Sequence, residues 1–233
     1  MTDIATAEFL NELRSLYPAQ AKYVDSGWYL AAAVAFSSSN RPEAVSCVFR
    51  HALEDLEKLP DTSDEDRRLL VRKMREGIFK SALLSGFAKV IYALISLYEA
   101  TPEEFRDTEP MRDFTRSKEE VAASGQGYFD LQYGDTAAEI QLLLRSIYPD
   151  LEHVIMTLGY GYVYSFLEVI SSKETSFAII SALIATDMLS PVERQLTCAV
   201  RNGATVEEVR GVREIALRIA MAAGVLKHEV PNI

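Results

Sequence analysis

Cysteine, histidine and tryptophan are scarce in this chain of 233 residues, at two, three and one. The cysteines, Cys47 and Cys198, form no CxxC pair and no Cys/His cluster at zinc-ligand spacing. Neither a disulfide framework nor a metal site is therefore expected, and two free thiols suit a reducing, cytoplasmic location. The start, MTDIATAEFLNELRSLYP, lacks a basic segment followed by an apolar one, so no signal peptide is expected. The longest apolar stretch, SFAIISALIATDML, is too short and interrupted to span a bilayer. The closing VPNI is not a peroxisomal tripeptide. No run of Lys and Arg occurs and the net charge is -10, which excludes nucleic acid as an expected partner. Gly125-Gln126-Gly127 and Gly159-Tyr160-Gly161 lack the third glycine of a dinucleotide loop, and no Gly-x-Ser-x-Gly elbow exists. No cofactor is expected.

What is present is helix punctuation. Ser190-Pro191-Val192-Glu193 and Thr101-Pro102-Glu103-Glu104 read as an N-cap, a proline at the first helical position and an acidic first turn. Thr205 to Glu208, Thr136 to Glu139 and Ser117 to Glu120 read as capping boxes, and Asn202-Gly203 as a helix stop. Val209, Val212, Ile215, Ala216, Ile219 and Ala223 fall on one helical stripe. Tyr160 and Tyr164 stand one helical turn apart, predicted at the start of a helix. Strand signals are few, and the chain is predicted to be a single all-α domain over 1–233.

The sequence also suggests an internal repeat. VRKMREGIFKSALLSG (71–86) aligns with VRGVREIALRIAMAAG (209–224), pairing Val71, Arg72, Arg75, Glu76, Ala82 and Gly86 with identical residues, and Lys80 with Arg218. Two copies of one helical unit are predicted, at 25–100 and 126–225, the second aligning best from 165. Residues 101–125, acid-rich, read as a solvated connection with helical turns of its own.

Tyr133-Gly134-Asp135, Tyr148-Pro149-Asp150-Leu151, Tyr160-Gly161, Lys173-Glu174-Thr175 and the stretch from Asn202 to Val209 come in the order of landmarks that resembles the AhpD-like (carboxymuconolactone decarboxylase) family, particularly its two-repeat fungal members. The resemblance covers roughly 125–225 well and 25–100 more weakly, through Ser85 to Val90. It implies an all-helical oligomer without cofactor, and an activity among lactone decarboxylases or thiol-dependent hydroperoxidases. The hydroperoxidases use CxxCxxxH on a helix. Here Ala44, Cys47 and His51 occupy those places, and Ala32 stands where those enzymes carry a Glu. In the second copy the matching positions are Ser176, Met188, Pro191 and Gln195, the last where relatives often have His.

Cys47 and His51, one turn apart, could meet on a helix face, where imidazole would favour the thiolate. A buried cysteine beside a structural histidine is the competing reading. Glu174 is the candidate acid or base, although a helix N-terminus alone explains a Glu there. Tyr160 and Tyr164 are the candidate substrate walls, unless the aromatics are simply core. His153 reads as a cap partner of Asp150, and His228 lies in the tail. Three functions remain open: a cofactor-independent lyase, decarboxylase or isomerase on a small organic acid or ring compound; a thiol hydroperoxidase resting on Cys47, which lacks its first cysteine; and a non-catalytic helical binding protein. A homo-oligomer is expected from apolar faces such as Ile179, Ile180, Leu183 and Ile184, and a membrane partner is not.

Overall fold

The computed structural model describes residues 4–232. Residues 1–3 and 233, which belong to the leader and tail readings above, lie outside them. The protein is all-α, with no strand among the described residues. In chain order the helices are α1 (Ala7–Ser15), α2 (Trp28–Ser38), α3 (Pro42–Glu57), α4 (Asp64–Lys80), α5 (Ala82–Ser85), α6 (Phe87–Ala100), α7 (Lys118–Tyr133), α8 (Ala137–Ile147) and α9 (Pro149–Val154). A π-helix (Ile155–Tyr164) extends α9, and α10 (Ser172–Ala185), α11 (Val192–Arg201) and α12 (Val206–Ala222) follow.

Two helices form the centre. Every residue of α2 is buried, as is α10 from Glu174 to Ala185. Apolar or small residues surround both helices on all sides, the pattern of a helix enclosed by others. They pack on each other; α3 and α6 also lie on α2, α11 on α10, and α4 and α12 touch both. Full burial of a side chain such as Phe36 or Phe177 contributes about 2 kcal/mol each. Ile179, Ile180, Leu183 and Ile184 are thus covered within one chain, so the face from which an oligomer was expected is core.

Four capping boxes fix helix starts, at Ser63/Asp66, Ser117/Glu120, Ser171/Glu174 and Thr205/Glu208. The Ser117 and Thr205 boxes match the sequence reading; those of Ser63 and Ser171 were not foreseen. Three expected caps differ. Thr101 donates its hydroxyl back to the Leu97 carbonyl, and only one 3₁₀ turn, Glu103–Phe105, follows. Thr136 donates to the Tyr133 carbonyl instead of capping α8. Pro191, not Ser190, precedes α11 as its cap residue. Asn202 ends α11, and Gly203 takes φ +97°, as a stop requires.

The acid-rich connection is strapped to the body. Asp107 accepts from Arg72 and Arg75, and Arg112 pairs with Glu76 while donating to the Tyr162 carbonyl at 3.0 Å. The last part of the connection is helical, since α7 begins at Lys118. The π-helix lies against α7 through two glycines. A Cβ on Gly125 would sit 2.4 Å from the Met156 carbonyl oxygen, and one on Gly161 would sit 2.8 Å from that of Val121. These glycines, read above only as failed dinucleotide loops, permit the backbone approach that carries the tyrosines of α7 to those of the π-helix.

Candidate functional site

The π-helix, α5 and the start of α6, α10, and single residues of α7 and α11 enclose a cavity of about 660 Å³. Its walls are mostly apolar: Leu83, Leu84, Phe87, Ile155, Leu158, Val163, Ile179 and Leu183. Among the described residues its polarity comes from Tyr133, Tyr160, Tyr162, Tyr164 and Gln195, and no acidic, basic, histidine or cysteine side chain lines it. That volume and composition suit a small, largely apolar molecule.

A hydrogen-bonded row closes its polar end. Gln132 Nε2 donates to Gln195 Oε1 at 2.7 Å, and Gln195 Nε2 donates to the Tyr133 hydroxyl at 3.2 Å. The Tyr133 and Tyr160 hydroxyls are 3.0 Å apart. Gln132 is wholly buried and its Oε1 has no partner among the described residues. In this orientation each amide spends one N–H along the row, and the Tyr133 oxygen is an acceptor from Gln195. Tyr160 meets Tyr164 edge-on with ring centroids 5.3 Å apart, and Tyr164 has no side-chain hydrogen bond among the described residues. Burial raises the pKa of both phenols well above the ordinary tyrosine value, so both are donors at neutral pH. Both stand in the π-helix, at its middle and its last residue, rather than at a helix start. A π-helical turn is a local irregularity frequent at functional sites.

The candidate catalytic residues lie elsewhere. Cys47, half-buried on α3, directs its thiol to the Glu43 carbonyl of its own helix at 3.8 Å and receives Arg50 at 3.6 Å. His51 turns inward, edge-on to Trp28, with Nε2 3.8 Å from Asp55 Oδ2. The two side chains share no hydrogen bond among the described residues, and the buried His51 Nε2 has no hydrogen-bond partner there. Cys198 is buried and unpaired with Cys47, and desolvation raises its thiol pKa. Glu174 has both oxygens engaged: Oε1 accepts from Lys73 Nζ at 2.8 Å, and Oε2 closes the Ser171 capping box. It has no hydrogen bond to Cys47 or His51 among the described residues, and none of the three lines the cavity. His153 makes no cap bond to Asp150 among the described residues; the Asp150 carboxylate accepts from Tyr148, while His228 pairs with Asp187 at 2.9 Å.

Two buried lysines of α4 escaped the sequence reading as site residues. Lys73 reaches Glu174 and the Val24 carbonyl. Lys80, fully buried, reaches the Tyr164 and Phe166 carbonyls at 3.3 and 2.7 Å and the Thr175 hydroxyl at 2.8 Å. Desolvation lowers its pKa to about 7, partly opposed by Glu76. Their signal was legible: both lie among Leu70, Met74 and Ile78 on the apolar stripe of α4.

An all-α body enclosing an uncharged, tyrosine-ended cavity defines the class of structure, and sequence comparison supplies the family. The chain is 31% identical over 200 residues to peroxisomal protein 2 of Schizosaccharomyces pombe, covering 84% of this chain and 87% of the relative. It is 23% identical to peroxisomal protein 2 of Saccharomyces cerevisiae over 97% of both chains. The chain belongs to the peroxisomal protein 2 family. No family model and no solved structure matches it. These relatives overturn the AhpD-like assignment and the decarboxylase or lyase activity drawn from it, since neither carries such a name. They likewise overturn the cytoplasmic location. Short landmarks such as Tyr160-Gly161 recur wherever helices must pack closely, so their order was a weak guide to activity.

Proposed function

We propose that this is a peroxisomal protein that binds a small, largely apolar molecule in the cavity beneath the π-helix. The observation that carries the reading is the row Gln132, Gln195, Tyr133, Tyr160, which sets hydrogen-bonding groups at one end of an otherwise apolar enclosure. The relatives' name supports the location. Nucleic acid is no part of the reading at a net charge of -10, and among the described residues no helix is long and apolar enough to cross a membrane. Titration with Nile red, a neutral fluorophore that brightens in apolar sites, should saturate at one equivalent, and Leu183→Trp, which puts an indole into the cavity, should weaken the binding. Signal unaffected by that substitution would reject the cavity as the site. A fluorescent fusion should coincide with a peroxisomal marker; a diffuse cytosolic signal would reject the location.

We further infer a homo-oligomer, supported by the exposed apolar side chains Phe87, Ile91, Tyr92, Ile95 and Tyr98 along α6. We also infer that 25–100 and 126–225 are copies of one unit. In support, the aligned Gly86 and Gly224 both take positive φ.

A further inference from the structure

We infer that the molecule held in this cavity is an uncharged carbonyl compound whose oxygen accepts hydrogen bonds from the tyrosines of the π-helix. The inference rests on the cavity being a binding site. Its first support is a proton count. The Tyr133 and Tyr160 oxygens share one hydrogen bond, 3.0 Å long, and the Tyr133 oxygen also accepts from Gln195. With the Gln195 amide donating to Tyr133, two hydroxyl protons serve one O···O bond, and one proton is left without an acceptor whichever tyrosine donates. Tyr164, its ring 5.3 Å from that of Tyr160, adds a hydroxyl with no partner. The cavity therefore offers donors, and a carbonyl oxygen, with two lone pairs and no proton, is their complement.

The second support is charge. No Lys, Arg or His lines the cavity. Lys80 spends its amine on the Tyr164 and Phe166 carbonyls and on Thr175, and Arg112 spends its guanidinium on Glu76 and the Tyr162 carbonyl. A carboxylate or phosphate would give up its hydration for phenol donors alone, an unfavourable exchange in an apolar enclosure. A neutral ketone, aldehyde or ester loses far less. The same lining contains no thiol, imidazole or carboxylate to attack or deprotonate a bound carbonyl, so the tyrosines act here as binding residues.

Three naphthalenes of nearly one shape separate the terms: 2-acetonaphthone, 2-naphthoate and 2-ethylnaphthalene, each displacing Nile red from the full-length protein at neutral pH. The ketone should bind at least about tenfold more tightly than the carboxylate. Tyr160→Phe and Tyr164→Phe should each weaken the ketone about fivefold, as for one lost hydrogen bond, and leave the hydrocarbon unchanged. Carboxylate binding equal to or tighter than ketone binding overturns the inference and leaves the binding reading intact. So does a ketone affinity indifferent to both substitutions. Failure of Nile red and all three compounds to bind overturns the binding reading itself. Should either variant fail to fold, the wild-type ketone and carboxylate affinities decide.

Discussion

Replacing Lys80 by methionine should alter how stability depends on pH, with a sign that burial fixes. The Lys80 side chain is fully buried, and desolvation depresses its pKa from 10.5 to about 7. Glu76, 4.0 Å away, pulls the other way but is itself paired with Arg112; Glu174 lies farther off and raises the value slightly. Between the two pKa values the unfolded chain holds a proton that the folded chain has lost. Folding is then favoured by rising pH, with a slope approaching about 1.4 kcal/mol per pH unit. Taking the folded pKa at about 7, wild-type stability relative to Lys80→Met should rise by about 2 kcal/mol from about pH 7 to about pH 9. In the folded chain Nζ donates to the Tyr164 and Phe166 carbonyls and to the Thr175 hydroxyl. Methionine fills similar space but strands those groups, so the absolute offset has either sign. Only its change with pH is read, and subtraction cancels Cys198 and the buried tyrosines, whose raised values act in the opposite sense. Urea unfolding of both proteins across that range is the assay. A gap constant to within about 0.5 kcal/mol would refute the claim that Lys80 sheds its proton in the folded state.

Gly161→Ala forces a Cβ to 2.6 Å from Val121 Cγ1 and 2.8 Å from its carbonyl oxygen, so it should cost about 3 kcal/mol by urea unfolding. A loss below about 1 kcal/mol would mean that the π-helix slides easily on α7. Under native conditions iodoacetamide should label half-buried Cys47 well before Cys198, whose thiol is enclosed and raised in pKa; peptide masses showing the reverse order would contradict that placement. Light scattering should give a multiple of 26.0 kDa that falls to the monomer in Tyr92→Glu, and a wild-type monomer would remove α6 as an interface. Thr205→Ala should lower stability by about 1 kcal/mol by opening the Glu208 box, as read by thermal melting.

Helices were legible because their signals are local. Capping requires a hydroxyl and a carboxylate three residues apart, and Ser117 and Thr205 supply both. Thr101 shows the limit of that reasoning: the preceding carbonyl of Leu97 captured its hydroxyl, and the residue came to end α6 rather than begin a new helix. Sequence spacing was equally limited for chemistry. A separation of four residues puts Cys47 and His51 on adjacent ground but does not say which neighbour each will choose. The imidazole packed edge-on against Trp28, and the Glu43 carbonyl took the thiol. Glu174 looked like a free acid because its capping partner, Ser171, and its cation, Lys73, were both unread, the second lying 101 residues away.

The cavity inverts this pattern, since its walls were partly visible and its chemistry was not. Tyr160 and Tyr164 could be paired by spacing, yet Tyr133 and Gln195 are 62 residues apart and meet only because α7 and α11 converge. Gln195 was conspicuous as the place where a histidine would have supplied chemistry. In the fold its amide instead links Gln132 to Tyr133, joining α7 and α11 and directing the hydroxyl pair at the cavity. A histidine there could serve as an acid or a base near neutral pH, whereas an amide can only orient. With no charged residue lining the cavity among the described residues, the amide and the tyrosine hydroxyls supply hydrogen-bonding groups and no acid or base active near neutral pH, as the proposed binding role requires.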